Sequence, residues 1–146
     1  MQQSVFISGA AQGIGAEIAR LFHNHGYKVG IYDINEVQAH ALAKELGENA
    51  KVGYLNVSNY RQWQTALQEF KNWAGELNIL VNNAGILYSG AFENTSIQSH
   101  HNTIEINVKG VLNGCHAALN HLQKSSFARV INLSSASAIY GQADLA

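Results

Sequence analysis

Three glycines in the run Ser8-Gly9-Ala10-Ala11-Gln12-Gly13-Ile14-Gly15 stand between the apolar stretch Val5-Phe6-Ile7 and residues of helical periodicity. In that setting each glycine has its own task. Gly9 permits a sharp exit from a strand, Gly13 lets backbone approach a pyrophosphate, and Gly15 lets a helix pack close to a sheet. The amino terminus of the following helix offers free N–H groups and positive potential, which suit phosphate. Gln12 and Ile14 complete this turn. Asp33 lies eighteen positions past Gly15, close to the roughly 20 expected for a carboxylate that accepts hydrogen bonds from an adenosine ribose. Such a carboxylate repels a 2′-phosphate, and no Arg or Lys stands among Ala10, Ala11 and Gln12 or directly after Asp33 to neutralise one. These residues, with the neighbouring Ile34, read as a dinucleotide site that prefers NAD(H) to NADP(H). A bare tight turn and an ordinary cap at Asp33 are the alternatives they leave open.

Such residues need a frame that brings strand ends together. Short apolar runs alternate with amphipathic stretches, the pattern of a parallel sheet with helical crossovers. Strands are predicted at 5–7, 29–32, 52–55, 79–81 and 130–133. The first helix carries Ile14, Ile18, Leu21 and Phe22 on one face and stops at Gly26. A second spans about 36–46 and closes at Gly47. Ser58 or Asn59 caps a third, with Tyr60, Trp63, Leu67 and Phe70 at helical spacing. A long helix over about 98–124 presents Ile104, Val108, Val111, Leu112, Cys115, Leu119 and Leu122 as its apolar face. The result is an α/β fold: an open, doubly wound parallel sheet of Rossmann type, forming one domain over 1–146. Ligands of such sheets sit beyond the carboxyl ends of the strands, where the unusual polar and glycine residues fall.

Composition narrows the function classes. The chain has 146 residues, 47% of them hydrophobic, and a net charge of −1 without a Lys/Arg cluster, so nucleic acid is not an expected partner. No apolar run approaches the roughly 20 residues of a membrane span, and none at the start reads as a signal peptide. One cysteine, Cys115, fits a reducing compartment, and the cytoplasm is the expectation. The seven histidines lack metal-ligand spacing: His116 and His121 are five apart and His100 and His101 adjacent, so no metal is expected. Charged residues make up 13%, about half the usual roughly 25%, which suggests that some surface meets another chain or further protein. Proline is absent, and these considerations offer no physical account of that.

The turn Ser-Gly-x-x-x-Gly-Ile-Gly, the segment Asn82-Asn83-Ala84-Gly85, Asn107 and the strand running into Ser134-Ser135 together resemble the short-chain dehydrogenase/reductase family, in its single-domain branch. The resemblance implies that Asn83, Ala84 and Gly85 pass under the adenosine ribose, although the same residues also make a strand-terminating turn. It places Asn56 and Val57 at the adenine. There Asn56 replaces the usual aspartate, with an amide oxygen left to accept from the base amino group. It gives Asn107 a water of a proton relay, against the alternative of a satisfied core amide. It gives Ser135 the substrate oxygen.

The implied reaction is hydride transfer between a secondary alcohol and a ketone. The family's general acid/base tyrosine follows the serine by thirteen positions, with a lysine four further on that lowers its pKa from about 10. Counted from Ser135 the tyrosine falls at 148, past Ala146, and Tyr140 is only five positions on with no lysine after it. The expectation is therefore the first half to two-thirds of a longer enzyme, inactive as it stands. A non-catalytic dinucleotide-binding module, sensor or regulator, is the alternative, and an α/β protein for another phosphate ligand a third. A homo-oligomer, tetramer or dimer, is implied with the long helix in one interface. Leu87, Tyr88 and Phe92, in the loop 86–93, suggest an apolar wall for a small-molecule alcohol or ketone.

Overall fold

The computed structural model describes residues 2–140 and 142; Ala146, on which the expected continuation turns, lies outside them. Five strands, β1 (Ser4–Ser8), β2 (Lys28–Asp33), β3 (Ala50–Tyr54), β4 (Ile79–Asn82) and β5 (Arg129–Asn132), form one parallel sheet in the order β3-β2-β1-β4-β5. Parallel strands need both faces covered, and successive side chains supply both. Val5, Ile7, Val29, Ile31, Ile79 and Val81 pack under α1 (Gly13–Asn24) and α2 (Glu36–Leu46). Phe6, Tyr32 and Leu80 pack under α3 (Tyr60–Ala74) and α5 (Gly110–Leu122). The chain builds outward from β1 to β3, then returns to place β4 on the other side of β1. The carboxyl ends of β1 and β4 are therefore the switch point of the sheet.

Local chemistry sets the helix limits. The Asn35 side chain accepts from the Gln38 N–H to start α2, and Gly47 ends it at a φ of 73°. Asn59, not Ser58, caps α3 by accepting from the Gln62 N–H. Trp63, Leu67 and Phe70 of that helix are buried as the spacing predicts.

Two predicted helix faces are borne out only in part: Ile18 and Phe22 of α1 and Leu122 of α5 pack on the core. On α1 the buried residues are Gly15, Ala16 and Ala19, whereas Ile14 is 66% exposed and Leu21 56%. The predicted long helix is divided into α4 (Ile97–Ile104), a π-helical turn over Glu105–Lys109, and α5. On α5 Gly110, Asn113, Gly114, Ala118 and Leu122 are buried, while Ile104, Val108, Leu112 and Leu119 are exposed. The cause is the same in both helices: each lies too close to its neighbours for bulk. A Cβ at Gly114 would stand 2.9 Å from the Trp63 ring, and one at Gly110 2.7 Å from Val57. The inserted π residue also rotates the helical phase by about 100°. At the sheet edge, β5 is exposed along its length, Val130 and Ile131 included.

The amino ends of the strands are tied by Asn78, which is wholly buried. Its Oδ1 accepts from the Ser4 N–H at 2.8 Å, and its Nδ2 donates to Ser125 Oγ at 2.8 Å and the Phe127 carbonyl at 3.1 Å. Asn78→Ala strands the buried Ser4 N–H and is expected to destabilise the fold by about 2 kcal/mol. A lowered urea midpoint with an unchanged slope is the expected readout.

Candidate functional site

The carboxyl ends of β1 to β4 open onto a cleft of about 510 Å³. Leu55, Asn56 and Val57 wall it beyond β3, and Asp33, Ile34 and Asn35 beyond β2. Gly9, Gln12, Gly13, Ile14 and Gly15 lie beyond β1, and Asn83, Ala84, Gly85 and Ile86 beyond β4, with Ile106 reaching in from the π turn. The structure thus brings together every residue that the sequence assigned to a dinucleotide. Four liners were not foreseen: Asn35, Leu55, Ile86 and Ile106. The first three directly follow or adjoin assigned residues, a signal that was available. Ile106 depends on the π turn, which left no periodic trace.

Steric and conformational demands separate the glycines. Gly9 has a φ of +64°, and a Cβ there would stand 2.6 Å from the Ala84 Cα. Gly13 has a φ of +55° with open space around it. Gly15 is needed for closeness, since its Cβ would meet the Gly9 carbonyl and the Asn83 amide. The turn is latched to β4 from both sides. Ser8 Oγ accepts from the N–H groups of Asn83 (3.2 Å) and Ala84 (3.3 Å), and Asn83 Nδ2 donates to the carbonyls of Ser8 (3.1 Å) and Gly9 (2.7 Å). The Asn83 side chain therefore shapes the turn.

Electrostatics favour an anion at one place. The helices α2, α3 and α4 each receive a side-chain cap, from Asn35, Asn59 and Ser96. By contrast α1 receives none from Gln12 and has no acidic residue in its first turn. Its leading N–H groups thus lack a side-chain acceptor at the cleft wall, and the helix dipole adds positive potential there. Next to it, Asp33 is held rather than free: Oδ2 accepts from the Ala11 N–H at 3.0 Å and Oδ1 from the Asn35 N–H at 2.9 Å. A carboxylate has roughly four acceptor positions, so acceptor capacity remains for hydroxyl groups in the cleft.

Asn56 corrects an expectation. Its Oδ1 accepts from Ser58 N–H at 3.1 Å and Ser58 Oγ at 2.8 Å, which occupies both lone pairs of the amide oxygen. The oxygen is not left for a base amino group. Asn107 is exposed rather than a core amide, and its side chain is committed: Oδ1 accepts from the Ile86 N–H at 2.8 Å and Nδ2 donates to the Ile86 carbonyl at 2.7 Å. This pair of hydrogen bonds to one residue pins the chain leaving β4.

Ser135 is not among the cleft residues. It follows β5, starts the short 3-10 turn Ala136–Ala138, and places its Oγ 2.6 Å from Ser137 Oγ. The ends of β4 and β5 are joined by Asn82 Nδ2 donating to Asn132 Oδ1 at 2.8 Å, so Ser135 belongs to the same end of the sheet. Tyr140 is exposed just beyond it. Leu87 and Phe92 of the following loop are exposed, and Phe92 stacks on His100 at 4.7 Å. Among the described residues no three of His, Cys, Asp and Glu gather as a metal site, and no helix is long and apolar enough to cross a membrane.

Comparison with known proteins shows the family. Residues 3–146 match the family model for short chain dehydrogenase. The chain is 34% identical over 131 residues to a 3-beta-hydroxysteroid dehydrogenase of Comamonas testosteroni, covering 90% of this chain and 51% of that protein. It is 33% identical over 149 residues to trans-4-hydroxycyclohexanecarboxylate dehydrogenase of Sinomonas cyclohexanicum, with 96% and 57% covered. It is 35% identical over 132 residues to 2,5-dichloro-2,5-cyclohexadiene-1,4-diol dehydrogenase LinX of Sphingobium indicum, with 88% and 53% covered. The chain spans about half the length of the curated relatives it matches.

Proposed function

Since the chain belongs to the short chain dehydrogenase family, we propose that its cleft holds NAD(H) for an oxidoreductase that interconverts a secondary alcohol and a ketone. The observation that carries this reading is the uncapped amino terminus of α1 beside a backbone-pinned Asp33 in one cleft. The residues fit the cofactor: Gly9 and Gly15 leave a cradle that a Cβ would fill, and Gly13 leaves open space. The α1 N–H groups hold the diphosphate, Asp33 the adenosine ribose, and Asn83, Ala84 and Gly85 the floor beneath. When bound, the nicotinamide accepts or donates the hydride. Ser135 orients the substrate oxygen. Asn107 supports the proton relay while its side chain fixes Ile86. The resemblance implies a general acid/base tyrosine thirteen positions after Ser135 and a lysine four beyond it.

The three relatives are named for hydroxyl groups borne on rings, and Leu87, Tyr88 and Phe92 offer apolar surface near the cleft, so ring alcohols are the substrate class to try first. Ile104, Val108, Leu112 and Leu119, exposed on α4, the π turn and α5, support a homo-oligomer built through that surface. The cytoplasm suits a chain with a single cysteine.

Titration of the chain with NADH, followed by nicotinamide fluorescence, is expected to saturate, with NADPH at least tenfold weaker. Asp33→Ala removes hydrogen bonds to a charged acceptor, worth about 1.5–3 kcal/mol each, and is expected to weaken NADH at least tenfold and, with the repelling charge gone, to strengthen NADPH. Equal affinity for the two cofactors in the unaltered chain would overturn the NAD assignment.

A further inference from the structure

We infer that Asn56 turns a hydrogen-bond donor, not an acceptor, toward the base end of the cleft, so that the chain discriminates weakly between adenine and a 6-oxopurine. The inference rests on the dinucleotide reading above. The cleft walls follow the order of the strands: the α1 amino terminus beyond β1, Asp33 beyond β2, and Leu55, Asn56 and Val57 beyond β3. Neighbouring strands lie about 4.8 Å apart. A diphosphate at α1 and a ribose at Asp33 therefore put the base one strand further on, against residues 55–57. Ile34, Leu55 and Val57 supply apolar surface for a flat ring there. Selection among purines then falls to the few polar atoms that can reach the ring edge.

The orientation of the Asn56 amide follows from its partners. The Ser58 backbone N–H can only donate, so the atom it meets at 3.1 Å must be the amide oxygen, and Ser58 Oγ reinforces that choice at 2.8 Å. A flipped amide would set its NH2 against the Ser58 N–H. Nδ2 therefore points away from Ser58, and among the described residues no hydrogen-bond partner meets it or the Val57 N–H. Both groups donate. The 6-amino group of adenine also donates, and it finds no acceptor in this pair; only ring nitrogens of adenine can be met. Hypoxanthine carries a carbonyl oxygen at the same position, which accepts from Nδ2. An aspartate at 56 would keep one oxygen on Ser58 and present the other, an acceptor, to the adenine amino group.

The test compares NADH with reduced nicotinamide hypoxanthine dinucleotide on the full chain, by nicotinamide fluorescence, for the unaltered protein and Asn56→Asp. The unaltered protein is expected to bind the two within about threefold. Asn56→Asp is expected to move the ratio at least tenfold toward adenine. A tenfold or greater adenine preference in the unaltered protein overturns the inference whatever the variant does, and so does a ratio that Asn56→Asp leaves unmoved. Binding of neither dinucleotide overturns the cofactor reading itself, and this inference with it.

Discussion

Gly9→Ala is expected to destabilise the chain by about 3 kcal/mol, while Gly13→Ala, four residues away, costs only about 1 kcal/mol. Both residues have positive φ, +64° and +55°, so both substitutions carry the left-handed penalty of roughly 1–2 kcal/mol for a residue with a Cβ. They differ in surroundings. A methyl at Gly9 would stand 2.6 Å from the Cα and 2.9 Å from the N of Ala84. Those are backbone atoms of a segment latched by Ser8 and Asn83, and they cannot swing aside. Relief requires β1 and β4 to part at the switch point, an overpacking cost of about 1–3 kcal/mol. The methyl at Gly13 meets nothing within 4 Å. It projects from the turn that forms one wall of the cleft. Urea unfolding of both variants should therefore rank Gly9→Ala well below Gly13→Ala. NADH titration should show Gly13→Ala folded but at least tenfold weaker in binding, because its methyl occupies space assigned to the diphosphate. Equal midpoints for the two variants would mean that the Ala84 contact yields.

This contrast also shows which parts of the molecule were readable from the chain. The cleft residues were legible because their chemistry is local: a glycine turn after a strand, a carboxylate at the next strand end, an Asn-Asn-Ala-Gly exit. The limits of α2 are legible for the same reason, since Gly47 closes it as expected, whereas the division of the long helix over about 98–124 is not. The faces of α1 and α5 are legible only in part, because hydrophobic bulk does not by itself mark the buried side. In a doubly wound sheet the closest contacts belong to Gly and Ala. Thus Gly15, Ala16 and Ala19 are buried and Ile14 is not, and Gly114 is buried where Leu112 is exposed. The hydrogen bonding of Asn56 is not legible for a different reason. The residue type names both a donor and an acceptor, and only its neighbour Ser58 decides which one remains for a ligand.

Trp63→Ala is expected to cost about 4 kcal/mol, a large share of the roughly 5–15 kcal/mol that holds a domain of this size. The indole is wholly buried, lies 5.6 Å from the Phe6 ring, and fills the space against which Gly114 packs. Its loss leaves a cavity between α3, α5 and β1 that these close-packed helices cannot collapse into. The same side chain connects the core to the cleft. Trp63 Nε1 donates to the Val57 carbonyl at 3.0 Å, and Asn113 Nδ2 donates to that same oxygen at 3.1 Å. The wall beyond β3 thus hangs from two buried donors on two different helices. Trp63→Phe keeps most of the ring volume and leaves the carbonyl one donor, as does Asn113→Ala. The double variant leaves it none. The pair is therefore expected to be more destabilised than the sum of the single variants, by about 1–2 kcal/mol, the penalty for a buried acceptor without a partner. Urea midpoints for the four proteins measure this coupling directly. Additivity within about 0.3 kcal/mol would show that water reaches the Val57 carbonyl and that the two helices hold the wall independently.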